Sequence, residues 1–224
     1  MKRYLKVVGA ILWKDLAAEL RSRETFSAMV VFSLLMVLVF SIALELNRGA
    51  RESTAAGVLW ATALFSGTLG LNRGLGREQD RGTLEGLLLA PSDRSALFFG
   101  KFLSSWILIL AVQVVTVPVL TILYNFNLAQ PLVILSLLLG TLGYTGVGTL
   151  LSAVSAQTRA RDVLLPILLL PVSVPVLMAG VQSSSGALAG STWADLSIWY
   201  SLLVVYDVIF LAVAVMVFEA IVSE

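Results

Sequence analysis

The chain has 224 residues, of which 58% are hydrophobic and only 13% are charged, whereas a soluble domain carries about a quarter charged residues. It contains no cysteine and no histidine. This excludes disulfides, thiolate metal sites and thiol nucleophiles, and it removes the commonest proton shuttle and haem axial ligand. The composition therefore predicts an all-α membrane protein with a single transmembrane domain over residues 1–224 and no room for a large soluble domain.

The N-terminal segment is predicted to form a basic amphipathic helix. Leu5, Val8, Leu12 and Leu16 share one face at helical spacing, and most of the basic residues fall on the other. Such a helix lies along the inner membrane interface, with its cations near anionic headgroups. The residues assigned to this interface helix are Lys6, Leu12, Trp13, Lys14 and Leu16.

Six long apolar stretches follow, each close to the roughly 20 residues that a helix needs to cross the hydrocarbon layer. The predicted spans are 26–46, 53–72, 102–124, 132–156, 163–181 and 198–222. The second is the least hydrophobic and is rich in Gly, Ala, Ser and Thr, so protein rather than lipid should surround it. The predicted fold is a six-helix transmembrane bundle preceded by the interface helix.

The distribution of basic residues predicts the orientation. Of the 15 Lys and Arg residues, all but Arg48 and Arg51 fall in the N-terminal segment or in the second and fourth loops. Because basic loops stay in the cytoplasm, both termini are predicted to be cytoplasmic.

A charged island, residues 73–101, separates the second and third spans. Charges are costly inside a bilayer, so the island is predicted to be a short loop in water on the cytoplasmic side. Within it, Thr83 is a suitable N-cap, Glu85 suits the first helical turn, and Pro91 ends the helix. We expect a two-turn helix here that docks on another protein, or alternatively a surface turn without a partner. The docking residues are Glu78, Asp80, Arg81, Thr83, Leu84, Glu85, Leu87 and Leu88.

Two features inside the spans suggest function but also have simpler explanations. Pro166, Pro171 and Pro175 crowd the fifth span and predict a bent or broken helix, either flexible or statically kinked. Asp207 is the only ionisable residue well inside a span. It is a candidate intramembrane polar site, unless it reaches water at the outer leaflet near Trp199.

No residue pattern predicts catalysis. A serine nucleophile would lack a histidine base, and no Walker motif occurs, so the chain is not expected to hydrolyse ATP by that mechanism. The glycine cluster 140–148 lies inside an uncharged span and predicts close helix packing rather than nucleotide binding. We expect no catalytic residue, no metal site and no directly bound cofactor.

The island and the N-terminal segment together resemble the exporter-type ABC permeases. Within that class, the chain most resembles the B subunit of the haem-exporter-type ABC complex of cytochrome c maturation, over essentially its whole length. The matching patterns are Trp13-Lys14-Asp15-Leu16 with Glu19 and Arg21, the run Leu84-Glu85-Gly86-Leu87-Leu88-Leu89-Ala90-Pro91, and the wider set Glu78, Gly82, Thr83, Pro91 and Lys101.

The resemblance implies a permease-like subunit of the bacterial inner membrane whose docking residues couple to a cytoplasmic ABC ATPase. It implies further membrane subunits, one of them handling haem, and indirect contact with a periplasmic haem chaperone. ATP would bind the partner subunit, haem would be the cargo of the complex, and no nucleic acid would be involved. The implied function is to couple ATP hydrolysis to haem delivery, or to release of the haem-loaded chaperone. The alternatives are export of a lipid, polysaccharide or drug, or a non-transporting membrane scaffold.

Overall fold

The computed structural model describes residues 2–44, 51–80, 94–156, 158 and 160–221. Within these ranges the chain forms seven α-helices and no strand. They are α1 (Lys2–Ser22), α2 (Glu24–Leu44), α3 (Arg51–Asp80), α4 (Arg94–Tyr124), α5 (Pro131–Ala156), α6 (Arg161–Leu188) and α7 (Trp193–Ile221). Six of the described helices, α2 to α7, are long and apolar enough to cross a membrane, which confirms the predicted helical membrane fold.

The sequence predicts that the whole charged island is a loop, but both of its ends are helical. Helix α3 continues past the predicted end of the second span as far as Asp80, and α4 already begins at Arg94. With 30 residues, α3 is about 45 Å long, so part of it must project beyond a hydrocarbon layer of about 30 Å. The island therefore begins and ends as helical extensions of two spans.

Helices α3 and α5 form the centre of the bundle. In their apolar windows 72% and 67% of residues are buried, compared with 17% in α2. This confirms that protein surrounds the second span. The outer helices expose large aliphatic side chains, among them Val31 and Leu35 on α2, Val114 on α4 and Met178 on α6, as expected for surfaces that face lipid.

Small residues allow the central helices to approach closely. A Cβ atom at Gly140 or Gly180 would strike the indole of Trp60, so α3 inserts this side chain between α5 and α6. A Cβ atom at Gly146 would come within 2.7 Å of Leu211 on α7. The glycine cluster thus serves helix packing, as predicted from its place inside a span.

Helix α6 runs unbroken from Arg161 to Leu188 through Pro166, Pro171 and Pro175. The alternative of a broken fifth span is therefore wrong. A proline within a helix leaves a carbonyl without its usual amide donor, but the flanking hydrogen bonds here preserve one continuous element. Helix α6 packs against α3, α5 and α7 along this length.

A sharp turn joins the N-terminal helix to the bundle. Arg23 adopts a left-handed conformation with φ of 54°, which interrupts the helix between α1 and α2. The Glu19 carboxylate accepts a 2.7 Å hydrogen bond from the Phe26 amide at the start of α2. A carboxylate is favoured there because the first amides of a helix lack partners and carry a partial positive charge.

Candidate functional site

Most of the predicted docking residues lie outside the described part of the chain. These are Arg81, Thr83, Leu84, Glu85, Leu87 and Leu88. The backbone places Glu78 and Asp80 in the last turn of α3. The two-turn helix that the sequence predicts between α3 and α4 therefore stays a prediction, but both helices that lead into it are described.

The first turns of α4, where the island ends, carry a buried ion pair. The Lys101 Nζ atom lies 2.9 Å from Asp15 Oδ2 on α1, and the two side chains are only 7% and 19% exposed. The Ser104 hydroxyl donates to the same carboxylate oxygen at 3.3 Å. The prediction that Lys101 belongs to a water-exposed loop is therefore wrong: α1 covers it, and Asp15 compensates its charge.

A glycine next to the ion pair explains how α1 comes so close to α4. A Cβ atom at Gly100 would lie 2.7 Å from two side-chain carbons of Ile11, so only glycine allows this approach. Ile11 is itself buried. We call this contact the α1–α4 joint and define it by Ile11, Asp15, Gly100, Lys101 and Ser104.

Aromatic side chains extend the joint to α7. Phe98 stacks on Phe102 with ring centroids 6.1 Å apart and planes only 3° from parallel, and it meets Phe218 of α7 at 5.4 Å. With Ile11 these rings belong to a hydrophobic cluster separate from the main core. Three helices therefore meet at the N-terminal end of α4, which belongs to the island, and a displacement of this end would also displace α1 and α7.

The N-terminal helix has three faces rather than two. Val8 and Ile11 are buried against the bundle, whereas the sequence predicted that Leu5, Val8, Leu12 and Leu16 would form one apolar face. Leu12 and Leu16 are only partly buried, and Lys6 and Lys14 are exposed. The side of α1 that faces the bundle is centred on Val8, Ile11 and Asp15. It is rotated about the helix axis, by roughly the angle between successive residues, from the predicted apolar face.

A second apolar stripe of α1 points away from the bundle. Leu5, Trp13 and Leu20 are 63%, 71% and 70% exposed. At 100° per residue they fall within about 80° of one another on the helix. The stripe lies beside the basic side chains of Lys6 and Lys14, an arrangement that suits the boundary between hydrocarbon and headgroups.

Polar side chains connect the spans in the bundle interior. The Trp60 Nε1–H group donates to Ser184 Oγ at 3.0 Å, and the Trp106 Nε1–H group donates to Thr141 Oγ1 at 3.1 Å. The Tyr144 hydroxyl donates to the Leu64 carbonyl at 2.9 Å and shares a 2.7 Å hydrogen bond with Thr68. These links were not predicted from the sequence, although Trp and Tyr well inside apolar spans were a usable signal, since such groups need partners there.

The junction of α3, α5 and α6 encloses a cavity of about 10 Å³, lined by Trp60, Ala63, Leu64, Thr141, Tyr144, Val176 and Leu177. A single water molecule needs about that much space. This junction therefore has no room for a haem.

Asp207 lies deep in the bundle rather than at the outer surface. It occupies the midpoint of α7 (Trp193–Ile221), about 21 Å along the helix from its first residue, and is only 4% exposed. Its Oδ1 atom rests against Gly143, near the midpoint of α5. Neither carboxyl oxygen has a side-chain hydrogen-bond partner among the described residues, and the polar neighbour of the carboxyl group is the Gly143 backbone. The alternative that Asp207 reaches outer water near Trp199 is therefore wrong.

These features define the class of the protein before any comparison. It is a multi-pass helical membrane protein whose N-terminal helix packs against the first turns of one span, α4. The model of the CcmB protein family matches residues 6–223, so the chain belongs to that family. This confirms the resemblance drawn from the sequence.

Three relatives illustrate the match, and each is named heme exporter protein B. The protein of Paracoccus denitrificans is 29% identical over 183 residues, covering 81% of this chain and 84% of the relative. That of Bradyrhizobium diazoefficiens is 27% identical, covering 83% and 84%. That of Escherichia coli K12 is also 27% identical, covering 79% and 83%.

Proposed function

We propose that this chain is the transmembrane subunit of an ABC-type haem exporter that serves cytochrome c maturation. In this role it couples ATP hydrolysis on a separate cytoplasmic subunit to haem delivery or to release of a haem-loaded periplasmic chaperone. The family match supports the assignment. The structural observation that supports the coupling role is the Lys101–Asp15 pair, which fastens the first turns of α4, at the C-terminal end of the island, to α1.

The bundle offers a mechanical route from the island to its interior. Helix α3 enters the island after residue 72 and extends within it to Asp80. Farther back along its length it holds Trp60 between Gly140 and Gly180. Since a helix transmits axial and tilting displacements over its length, a force on the island reaches α5 and α6 through this side chain. Helix α4 provides the second route, through the α1–α4 joint and the Phe98 cluster to α7.

The assignment implies particular partners and a location. The ATPase would dock on residues 78–88, and further membrane subunits, one of them handling haem, would complete the complex. The chain would lie in the bacterial inner membrane with both termini in the cytoplasm, as the placement of its basic residues favours. The absence of histidine supports haem as cargo of the complex rather than a cofactor ligated by this chain.

The test is purification of the complex in mild detergent, followed by a haem-dependent ATPase assay. The chain carrying Leu84→Ala and Glu85→Ala is expected to lose the co-purified ATPase or its haem-dependent turnover. A matched control is Leu35→Ala, a change on the exposed face of α2, which should leave both intact. Absence of any co-purified ATPase from wild type would contradict the proposal and favour a scaffold, whereas turnover stimulated by another cargo would contradict the haem assignment.

A further inference from the structure

The carboxyl group of Asp207 is isolated from every charged residue in the spans. The sequence contains no Asp, Glu, Lys or Arg from 102 to 158, from 163 to 194 or from 208 to 218. The carboxyl group is buried at the midpoint of α7. No side chain of the described residues forms a hydrogen bond with it, and its polar neighbour is the Gly143 backbone. An ionised carboxylate in such a place would be an uncompensated charge in an apolar medium, which is strongly disfavoured.

The groups that surround Asp207 do not offer a compensating charge. Helix α5 presents Gly143 to it, and the neighbouring Tyr144 directs its hydroxyl away, to Thr68 and the Leu64 carbonyl on α3. On α7 itself, the Tyr206 hydroxyl donates to the Val172 carbonyl of α6 at 3.0 Å. The described part of α4 that packs against α7 carries ionisable groups only towards its ends, at Arg94, Lys101 and Tyr124.

We propose that Asp207 is a proton-binding site at the centre of the membrane, and that its protonation state controls how closely α7 packs on α5. In the packed arrangement the carboxyl group is neutral. Deprotonation transfers the proton to water and leaves a carboxylate that must acquire solvation. It does so when α7 separates from Gly143 and admits water. The ligand of this site is a proton, which requires no more space than the contact provides.

Gly143 is the counterpart of Asp207 in this site. A Cβ atom there would collide with Asp207 Oδ1 and come within 2.8 Å of Tyr206 Cδ1. Glycine therefore allows the carboxyl group to be sealed from water between the two helices. The same α7 segment is tied to α6 by the Tyr206–Val172 hydrogen bond, between Pro171 and Pro175. Movement of α7 at Asp207 would consequently reach the proline-rich part of α6.

The experiment is pH-dependent infrared difference spectroscopy of the purified chain in lipid, with Asp207→Asn as the assigning variant. Wild type should show a protonated-carboxyl stretching band that decreases reversibly as pH rises, and this band should be absent from the variant. Asp207→Asn keeps a side chain of similar size that cannot ionise. A carboxyl group that is ionised across the accessible pH range, or a band unchanged by the substitution, would overturn the proposal.

A second measurement follows the packing itself. Thermal unfolding of wild type should shift to lower temperature as pH rises, because the packed state must then bury a charge, and Asp207→Asn should lack this shift. Gly143→Ala should expose the carboxyl group to water and reduce the pH-dependent shift. Its control is Gly57→Ala on α3, where an added methyl group meets no neighbour. Equal pH dependence in wild type and Asp207→Asn would refute the link between protonation and packing.

Discussion

Removing one partner of the Asp15–Lys101 ion pair should destabilise the chain strongly. Breaking a fully buried pair costs about 3–5 kcal/mol, because it leaves a charge behind without its partner. Here Lys101 is 7% and Asp15 19% exposed, so partial solvation of the carboxylate should reduce the cost to about 2–3 kcal/mol for Asp15→Asn. Lys101→Met should cost less, because Lys14 remains 3.3 Å from the Asp15 carboxylate. The double variant should cost clearly less than the sum of the two, since it leaves neither charge behind.

The assay is a double-mutant cycle on the free energy of unfolding in mixed detergent micelles. The coupling energy should reach about 1–2 kcal/mol, above the roughly 0.2–1 kcal/mol that exposed pairs contribute. The control is Lys6→Met, which removes an exposed cation from the same helix and should change stability by less than about 0.5 kcal/mol. A coupling energy below about 0.3 kcal/mol would refute the view that this pair fastens α1 to α4.

Two further substitutions test packing in the bundle interior, both by unfolding in the same micelles. Gly180→Ala should lower the free energy of unfolding by about 1–3 kcal/mol, because the added methyl group collides with the Trp60 indole. The control Gly57→Ala should leave it nearly unchanged, because no neighbour lies within 4 Å of the added methyl group. Equal losses of stability in the two variants would contradict the insertion of Trp60. Tyr144→Phe should lower the free energy of unfolding by about 0.5–2 kcal/mol, because it removes the hydrogen bonds to Leu64 and Thr68. An unchanged free energy of unfolding would show that these hydrogen bonds do not stabilise the bundle.

The spans were predictable because hydropathy alone decides which segments can leave water. The burial of α3 was also predictable, since a span rich in small and hydroxylated residues suits helix contacts better than lipid. The points at which α3 ends and α4 begins, inside the island, were not predictable in this way. The run of charges predicts a loop, yet Arg, Glu and Gln are good helix formers, and residues 73–80 extend the preceding helix.

The α1–α4 joint could not be predicted because it depends on tertiary contacts. Asp15 and Lys101 belong to helices far apart in sequence, and nothing in either local pattern indicates that they pair. Gly100 was a usable signal, because a glycine inside a helix often marks a close approach. The sequence leaves the depth of Asp207 open for a related reason: α7 begins at Trp193, which moves position 207 farther from the outer end than a span starting at 198 implies.

The absence of cysteine makes one measurement especially direct: site-specific crosslinking from a single introduced cysteine to the cytoplasmic ATPase subunit in native membranes. With Glu85→Cys on the island, the coupling role predicts a crosslinked product containing both subunits. With Leu35→Cys on the exposed face of α2, it predicts none. Failure of Glu85→Cys and its neighbours on residues 78–88 to crosslink, in membranes where both subunits are present, would contradict the assignment of the island as the ATPase docking site.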